Sequence, residues 1–171
     1  MVELDRLRDR LLDARKGLRD ILFALRPVAL TEDGLAAAVR ALAQRADGTT
    51  GSHVFARNAV STARLPAELE AGAFTVLREA ANDAVKTGRA KNVALDVTDD
   101  ATAVHGLVED DGAGFDVAAT MSTDAGRGSL GLLQMREAAR LIGAQPSIDS
   151  SPGNGTRVRL RIPRSAGPAG S

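Results

Sequence analysis

Cysteine, tryptophan and tyrosine are all missing from this chain of 171 residues, and phenylalanine occurs four times. Without cysteine there can be no disulfide and no thiolate metal site, a composition in keeping with a reducing cytoplasm. The shortage of aromatics leaves the core to leucine, valine, isoleucine and alanine. Neither sign of charge predominates, because 22 Lys and Arg stand against 22 Asp and Glu. The overall positive field that a nucleic-acid binder or a polybasic membrane protein needs is therefore missing, and neither partner is expected. No apolar run approaches the ~20 residues of a membrane span. The first residues are charged rather than signal-like, so membrane contact by this chain is not expected, although the chain could still be the soluble part of a membrane-bound sensor. What is present is 44% apolar residues, enough for one cored domain of about 130 to 150 residues and an appendage.

The appendage comes first. Leu4, Leu7, Leu11, Ala14, Leu18, Ile21 and Leu25 alternate spacings of three and four, with Arg, Asp and Lys filling most positions between. This is an a/d seam that seeks a partner helix; the alternative is an amphipathic helix lying on its own domain. Pro27 stops it. Leu35, Val39 and Leu42 predict a short helix of about ten residues, and residues 53–60 read as a strand. Pro66 opens the longest helix, reaching about Thr87, with Gly88 as its C-terminal cap. Its polar face stacks Glu79, Asp83 and the Lys86/Thr87 turn; an ordinary solvated face would read the same way. Residues 92–98 and 103–108 form a hairpin about Asp99-Asp100, and residues 146–150 and 157–162 give two closing strands.

Two stretches carry chemistry. In Val108-Glu-Asp-Asp-Gly-Ala-Gly-Phe115 an apolar strand turns acidic at Asp110 and breaks into Gly112-x-Gly114. A carboxylate at a rigid strand end can accept from an exocyclic amine, and glycines let a planar ring approach the backbone. A plain β-turn is the competing reading. Residues 112–131 form a long loop with five glycines that feeds a helix beginning near Leu130. Free N–H groups and the positive end of a helix dipole suit phosphate oxygens; a flexible connector would look alike. Gly128-Ser-Leu-Gly131 matches neither the P-loop nor the dinucleotide-binding spacing.

Glu79-x-x-x-Asp83, Asp110-x-Gly112-x-Gly114, Gly128-x-x-Gly131-Leu132 and Pro152-Gly-x-Gly-Thr156, in that order, closely resemble the ATP-binding domain of sensor histidine kinases. The nitrate-sensor-like subfamily, within the superfamily that includes DNA gyrase, is the nearest in kind. Leu25-Arg26-Pro27 before Gly34-Leu35, and Leu133-Gln-Met-Arg-Glu137, add to the likeness, which covers residues 4–163. It implies an α/β (α+β) two-layer sandwich of the Bergerat type, with a mixed sheet behind a long helix from a dimerisation hairpin. The expected division is a partial dimerisation helix at 1–27, a catalytic domain at 28–163 and a disordered tail at 164–171. Carried over by position, Asp110 would bind the adenine amino group, Gly112 and Gly114 would shape its pocket, and Thr156 would support the aspartate. Gly128, Gly131 and Leu132 would start the phosphate-receiving helix, residues 116–127 would be a lid, Lys86 would approach the phosphates, and Glu79 would stand beside the attacking group.

The resemblance implies ATP and Mg²⁺ as ligands. The implied partners are a histidine-bearing dimerisation domain, a response regulator and a second copy through residues 4–25. Two departures stand out. The metal-binding asparagine of the family falls at Asp83, with an asparagine displaced to Asn82, and the basic residue near the helix end is Thr87. His53 and His105, the chain's two histidines, fall in strands and read as structural, so the phosphoacceptor must lie outside this sequence. The function expected is transfer of the ATP γ-phosphate to that histidine. Alternatives are an anti-sigma-factor-type serine kinase, against which the heptad helix argues, and a degenerate nucleotide-binding module, for which Asp83 argues.

Overall fold

The computed structural model describes residues 27–122, 130–144 and 146–164. The expected heptad helix and its expected dimerisation role, Gly128, the second half of the expected lid and residues 165–171 lie outside the described residues. In chain order the elements are α1 (Val28–Asp33), α2 (Leu35–Ala46), β1 (His53–Ala59), α3 (Ala67–Lys86), β2 (Asn92–Asp99), β3 (Ala103–Asp110), α4 (Val117–Ser122), α5 (Leu130–Leu141), β4 (Ser147–Ser150) and β5 (Thr156–Pro163).

Side-chain periodicity explains which face of each element is buried. Val93, Leu95 and Val97 of β2 and Val158, Leu160 and Ile162 of β5 recur at the period of two and point inward, while Arg157, Arg159 and Arg161 alternate outward. On α3 the buried set Ala73, Val76, Leu77, Ala80 and Ala84 follows the helical period. Gly106 leaves room on β3 for the Leu77 methyls to reach the sheet. The sheet order is β1-β2-β3-β5-β4. β1 runs parallel to β2 and every other neighbour is antiparallel. The result is the expected two-layer α/β sandwich with a mixed sheet, whose core lies between the sheet and helices α2, α3 and α5.

On the opposite face of the sheet charge replaces apolar packing. A register slip in β1 between Ala56 and Asn58 frees a backbone N–H. The Asp96 carboxylate accepts it from Asn58 at 2.9 Å and also accepts from the Arg57 guanidinium at 2.6 Å. Arg57 continues to Glu109 at 3.1 Å, and Glu109 in turn pairs with Arg157. Both histidines sit on turn aspartates: His53 Nδ1 lies 2.9 Å from Asp47, and His105 Nε2 lies 2.8 Å from Asp100. Asp47 also accepts the Val54 N–H, and Asp100 the N–H groups of Thr102 and Ala103. Each histidine thus braces the turn beside its strand.

A further latch joins the N-terminal segment to the domain. Glu70, on the first turn of α3, is 0% exposed. Its carboxylate accepts from Arg64 Nε at 3.0 Å and from the Leu65 N–H at 3.1 Å. The same guanidinium donates to the carbonyls of Thr31 and Glu32 at the end of α1, where carbonyls lack helical partners. Between α1 and α2 stands Gly34 at φ +85, with the Arg64 side chain lying where a Cβ would project.

Three local features differ from the sequence expectation. α1 begins immediately after Pro27, a proline suited to the residue before a helix, in a stretch of six residues too short to show a period. α4 forms within the expected lid, where the Asp116 carboxylate accepts the Ala119 N–H at 2.9 Å. Gly88 is not the left-handed cap of α3: Thr87 closes the helix, and the positive φ belongs to Arg89. Glycine is needed at 88 because a Cβ there would press on the Ala84 carbonyl at 2.8 Å.

Candidate functional site

Between α3, α5 and the ends of β3 and β5 lies a cavity of about 410 Å³. α3 supplies Glu79, Ala80, Asp83 and Ala84, and its end adds Thr87 and Gly88. The strands supply Val108, Asp110, Thr156 and Val158, the loop after β3 supplies Gly114 and Phe115, α4 supplies Thr120, and α5 supplies Gly131, Leu132 and Met135. The lining is mostly apolar, with three carboxylates in it: Asp110 at the end of β3, and Glu79 and Asp83 on α3, the latter beside the first turn of α5. Seven of the residues named from the sequence meet here: Glu79, Asp83, Asp110, Gly114, Gly131, Leu132 and Thr156. Asn82 does not line the cavity; one step along the helix turns it away from Asp83's face. Lys86 is exposed and lies outside the lining.

Strand register holds Asp110 in place. It is the last residue of β3, opposite Val93 on one side and Thr156 on the other. Its carboxylate accepts the Gly112 N–H at 2.8 Å and the backbone N–H of Thr156. Burial raises its pKa above the ordinary 3.8, and those two N–H groups pull it partly back. The expected support of Asp110 by Thr156 is therefore given by the Thr156 backbone, while its hydroxyl lies 2.9 Å from Ser150 Oγ.

Glycines let backbone pack closely on backbone around the site. Gly112 lies off the cavity lining and packs against the Gly88 carbonyl, 2.6 Å from where its Cβ would be, and Ala113 donates to that carbonyl at 2.8 Å. Gly114 has φ +61 and abuts the Ser151 carbonyl, and Gly155 has φ +68 and abuts the Asp110 carbonyl. Gly155→Ala should therefore combine left-handed strain with overlap of backbone on backbone, and lower stability by roughly 2–4 kcal/mol. Gly153→Ala, also at positive φ (+82) but with nothing within 4 Å, should cost about 1 kcal/mol. Calorimetric melting of the two variants measures the difference.

Glu79 and Asp83 lie one turn apart on α3 and both line the cavity. Burial pushes the Asp83 pKa up, the Glu79 charge adds to the rise, and Lys86 offsets part of it. The Asp83 carboxylate lies directly against Gly131, in the first turn of α5, where any Cβ would overlap it. Among the described residues no set of three His, Cys, Asp or Glu converges as a metal site. A cation held here needs ligand oxygens beyond Asp83, which the phosphates of a bound nucleotide would supply. The residues fit such a ligand: an apolar lining with backbone exposed at Gly114, a carboxylate acceptor at Asp110, and a helix start at Gly131 with the Asp83 carboxylate beside it.

Sequence reasoning assigned no role to Ser150, Phe115, Thr120 or Met135. Ser150 had the one available signal, its position opposite Thr156 where the β4–β5 hairpin closes.

Comparison with known proteins agrees with this geometry. Residues 68–166 match the model of the family described as histidine kinase-, DNA gyrase B-, and HSP90-like ATPase. An uncharacterized sensor-like histidine kinase of Chloroflexus aurantiacus is 32% identical over 168 residues, 95% of this chain and 28% of that protein. The signal transduction histidine-protein kinase/phosphatase DegS of Brevibacillus brevis is 27% identical, over 94% of this chain and 40% of that protein. The chain thus spans less than half the length of these curated relatives. The solved ATP binding domain of PrrB from Mycobacterium tuberculosis shares the fold, with a TM-score of 0.53 at 22% identity, covering 75% of this chain and 93% of that one. The chain belongs to the histidine kinase-, DNA gyrase B-, and HSP90-like ATPase family, and within it to the ATP-binding domains of the kind that sensor histidine kinases carry.

Proposed function

We propose that this chain binds Mg-ATP in the cavity between α3 and α5 and transfers the γ-phosphate to a histidine outside this sequence. The observation that carries the reading is Asp110, a carboxylate held by two backbone N–H groups in a largely apolar cavity that the first turn of α5 also lines. Adenine is the purine it fits, because its exocyclic amine donates where guanine presents an acceptor oxygen. Leu132, Met135, Val108 and Val158 pack on the ring, the first turn of α5 at Gly131 receives the phosphates, and Lys86 approaches them from the end of α3. When bound, Mg²⁺ would neutralise phosphate charge, with Asp83 as its protein ligand. In the transfer an imidazole nitrogen of the acceptor forms the new bond to the γ-phosphorus, the bond to the β–γ bridging oxygen breaks, and ADP leaves. Glu79, lining the cavity a turn before Asp83, is the residue to receive the imidazole proton.

The supporting partners are a histidine-bearing dimerisation domain, joined through residues 4–25 in a homodimer, and a response regulator. Both curated relatives described above are histidine kinases by name, which supports the histidine acceptor over the serine-kinase alternative. Calorimetric titration with Mg-ATP and Mg-GTP tests the binding reading: selective binding of ATP supports it, and equal affinity overturns it.

Asp83 sets the metal dependence. Ionised aspartate adds a charge beside the triphosphate and donates no hydrogen bond, whereas asparagine offers a neutral oxygen and an NH₂. Asp83→Asn is expected to tighten metal-free ATP binding roughly tenfold, flatten its dependence on Mg²⁺ and raise phosphoryl transfer to a supplied histidine hairpin. Loss of both metal and nucleotide binding in that variant would identify Asp83 as a native ligand that asparagine cannot replace.

A further inference from the structure

Ser150 ends β4, opposite Thr156 in the ladder, and its hydroxyl joins the two loops that frame Asp110. Ser150 Oγ accepts the Phe115 N–H at 2.9 Å, just beyond Gly114. It also lies 2.9 Å from the Gly155 carbonyl oxygen and 2.9 Å from Thr156 Oγ1. A carbonyl can only accept, so the single Ser150 proton goes to Gly155; an amide N–H can only donate, so Phe115 takes one Ser150 lone pair. The proton between the two hydroxyls must then come from Thr156. Thr156 lines the cavity beside Asp110, and with its proton committed to Ser150 it presents lone pairs alone.

We infer that Ser150 is a specificity-determining positioning residue: by holding the Thr156 proton it makes Thr156, like Asp110, an acceptor, so that the cavity takes an amino-purine and rejects an oxo-purine. This rests on the reading of the cavity as an adenine site. Without Ser150 the Thr156 hydroxyl is free to rotate and donate to a guanine oxygen.

The test is calorimetric titration of the full chain with Mg-ATP and Mg-GTP, in the wild type and in Ser150→Ala and Ser150→Thr. Ser150→Ala should narrow the ATP-to-GTP preference about tenfold, and Ser150→Thr, which keeps the hydroxyl, should restore it. A residue that merely braced the loops would weaken both nucleotides alike, so an unchanged ratio in Ser150→Ala overturns the inference while the adenine reading stands. If Ser150→Ala does not fold, Thr156→Val takes its place: selective loss of ATP affinity supports an acceptor at Thr156, and equal loss of both nucleotides overturns it. A wild type that does not prefer ATP removes the adenine reading itself and this inference with it.

Discussion

Asp110→Asn is expected to weaken ADP binding between ten- and a hundredfold, about 1.4–2.7 kcal/mol, with little change in melting temperature. Asparagine can present its oxygen to the Gly112 and Thr156 N–H groups that hold Asp110 now. Its NH₂ would then face the donor of the adenine amine. The fold keeps its local partners, and the ligand loses the acceptor it needs. A pH dependence follows from the same carboxylate. Burial raises its pKa above 3.8, so as pH falls the acceptor is protonated earlier than an ordinary aspartate would be, and affinity should fall with it. The sign for stability is opposite: the raised pKa makes this group's contribution to folding complete at low pH, and that contribution is lost as pH rises through its folded value. Titrating ADP across acid pH in wild type and Asp110→Asn checks the affinity: the wild-type fall should be absent from the variant, and a fall of equal size in both would assign it elsewhere.

The second large effect concerns Arg64. Arg64→Met takes the guanidinium from a carboxylate that is 0% exposed and releases the α1 carbonyls it caps. Removing one partner of a buried ion pair costs about 3–5 kcal/mol, and half exposure of Arg64 argues for the lower part of that range. Glu70→Met combined with Arg64→Met should recover much of the loss, because an apolar pair of similar volume leaves no buried charge behind. Urea denaturation of the two single variants and the double variant measures the coupling. Additive losses would show that the pair contributes little beyond its separate packing.

Why the fold was readable while parts of the site were not is clear from particular residues. Val158, Leu160 and Ile162 alternate with arginines, and Leu35, Val39 and Leu42 keep a helical spacing; each such pattern has one buried face and so fixes both element type and orientation. α1 and α4 are six residues each, too short for a period to emerge. Asp110 and its glycines were legible because a strand end, a carboxylate and two glycines lie together in the sequence. Ser150 was not, because its role depends on meeting Phe115 from a segment 35 residues away. The same limit applies to Gly131: its need for glycine comes from the Asp83 carboxylate on another helix. Gly88 was assigned a cap from its position after a helix, whereas crowding by Ala84 explains it.

The proposal of histidine phosphorylation is tested most directly by incubating the chain with Mg-ATP labelled at the γ-phosphate and a histidine-bearing helical hairpin from a related kinase. The account predicts label on the hairpin in an acid-labile, base-stable linkage, and its loss in Glu79→Gln and Asp110→Asn. An acid-stable phosphoserine, or tight ATP binding with no transfer to any histidine hairpin supplied, would contradict it.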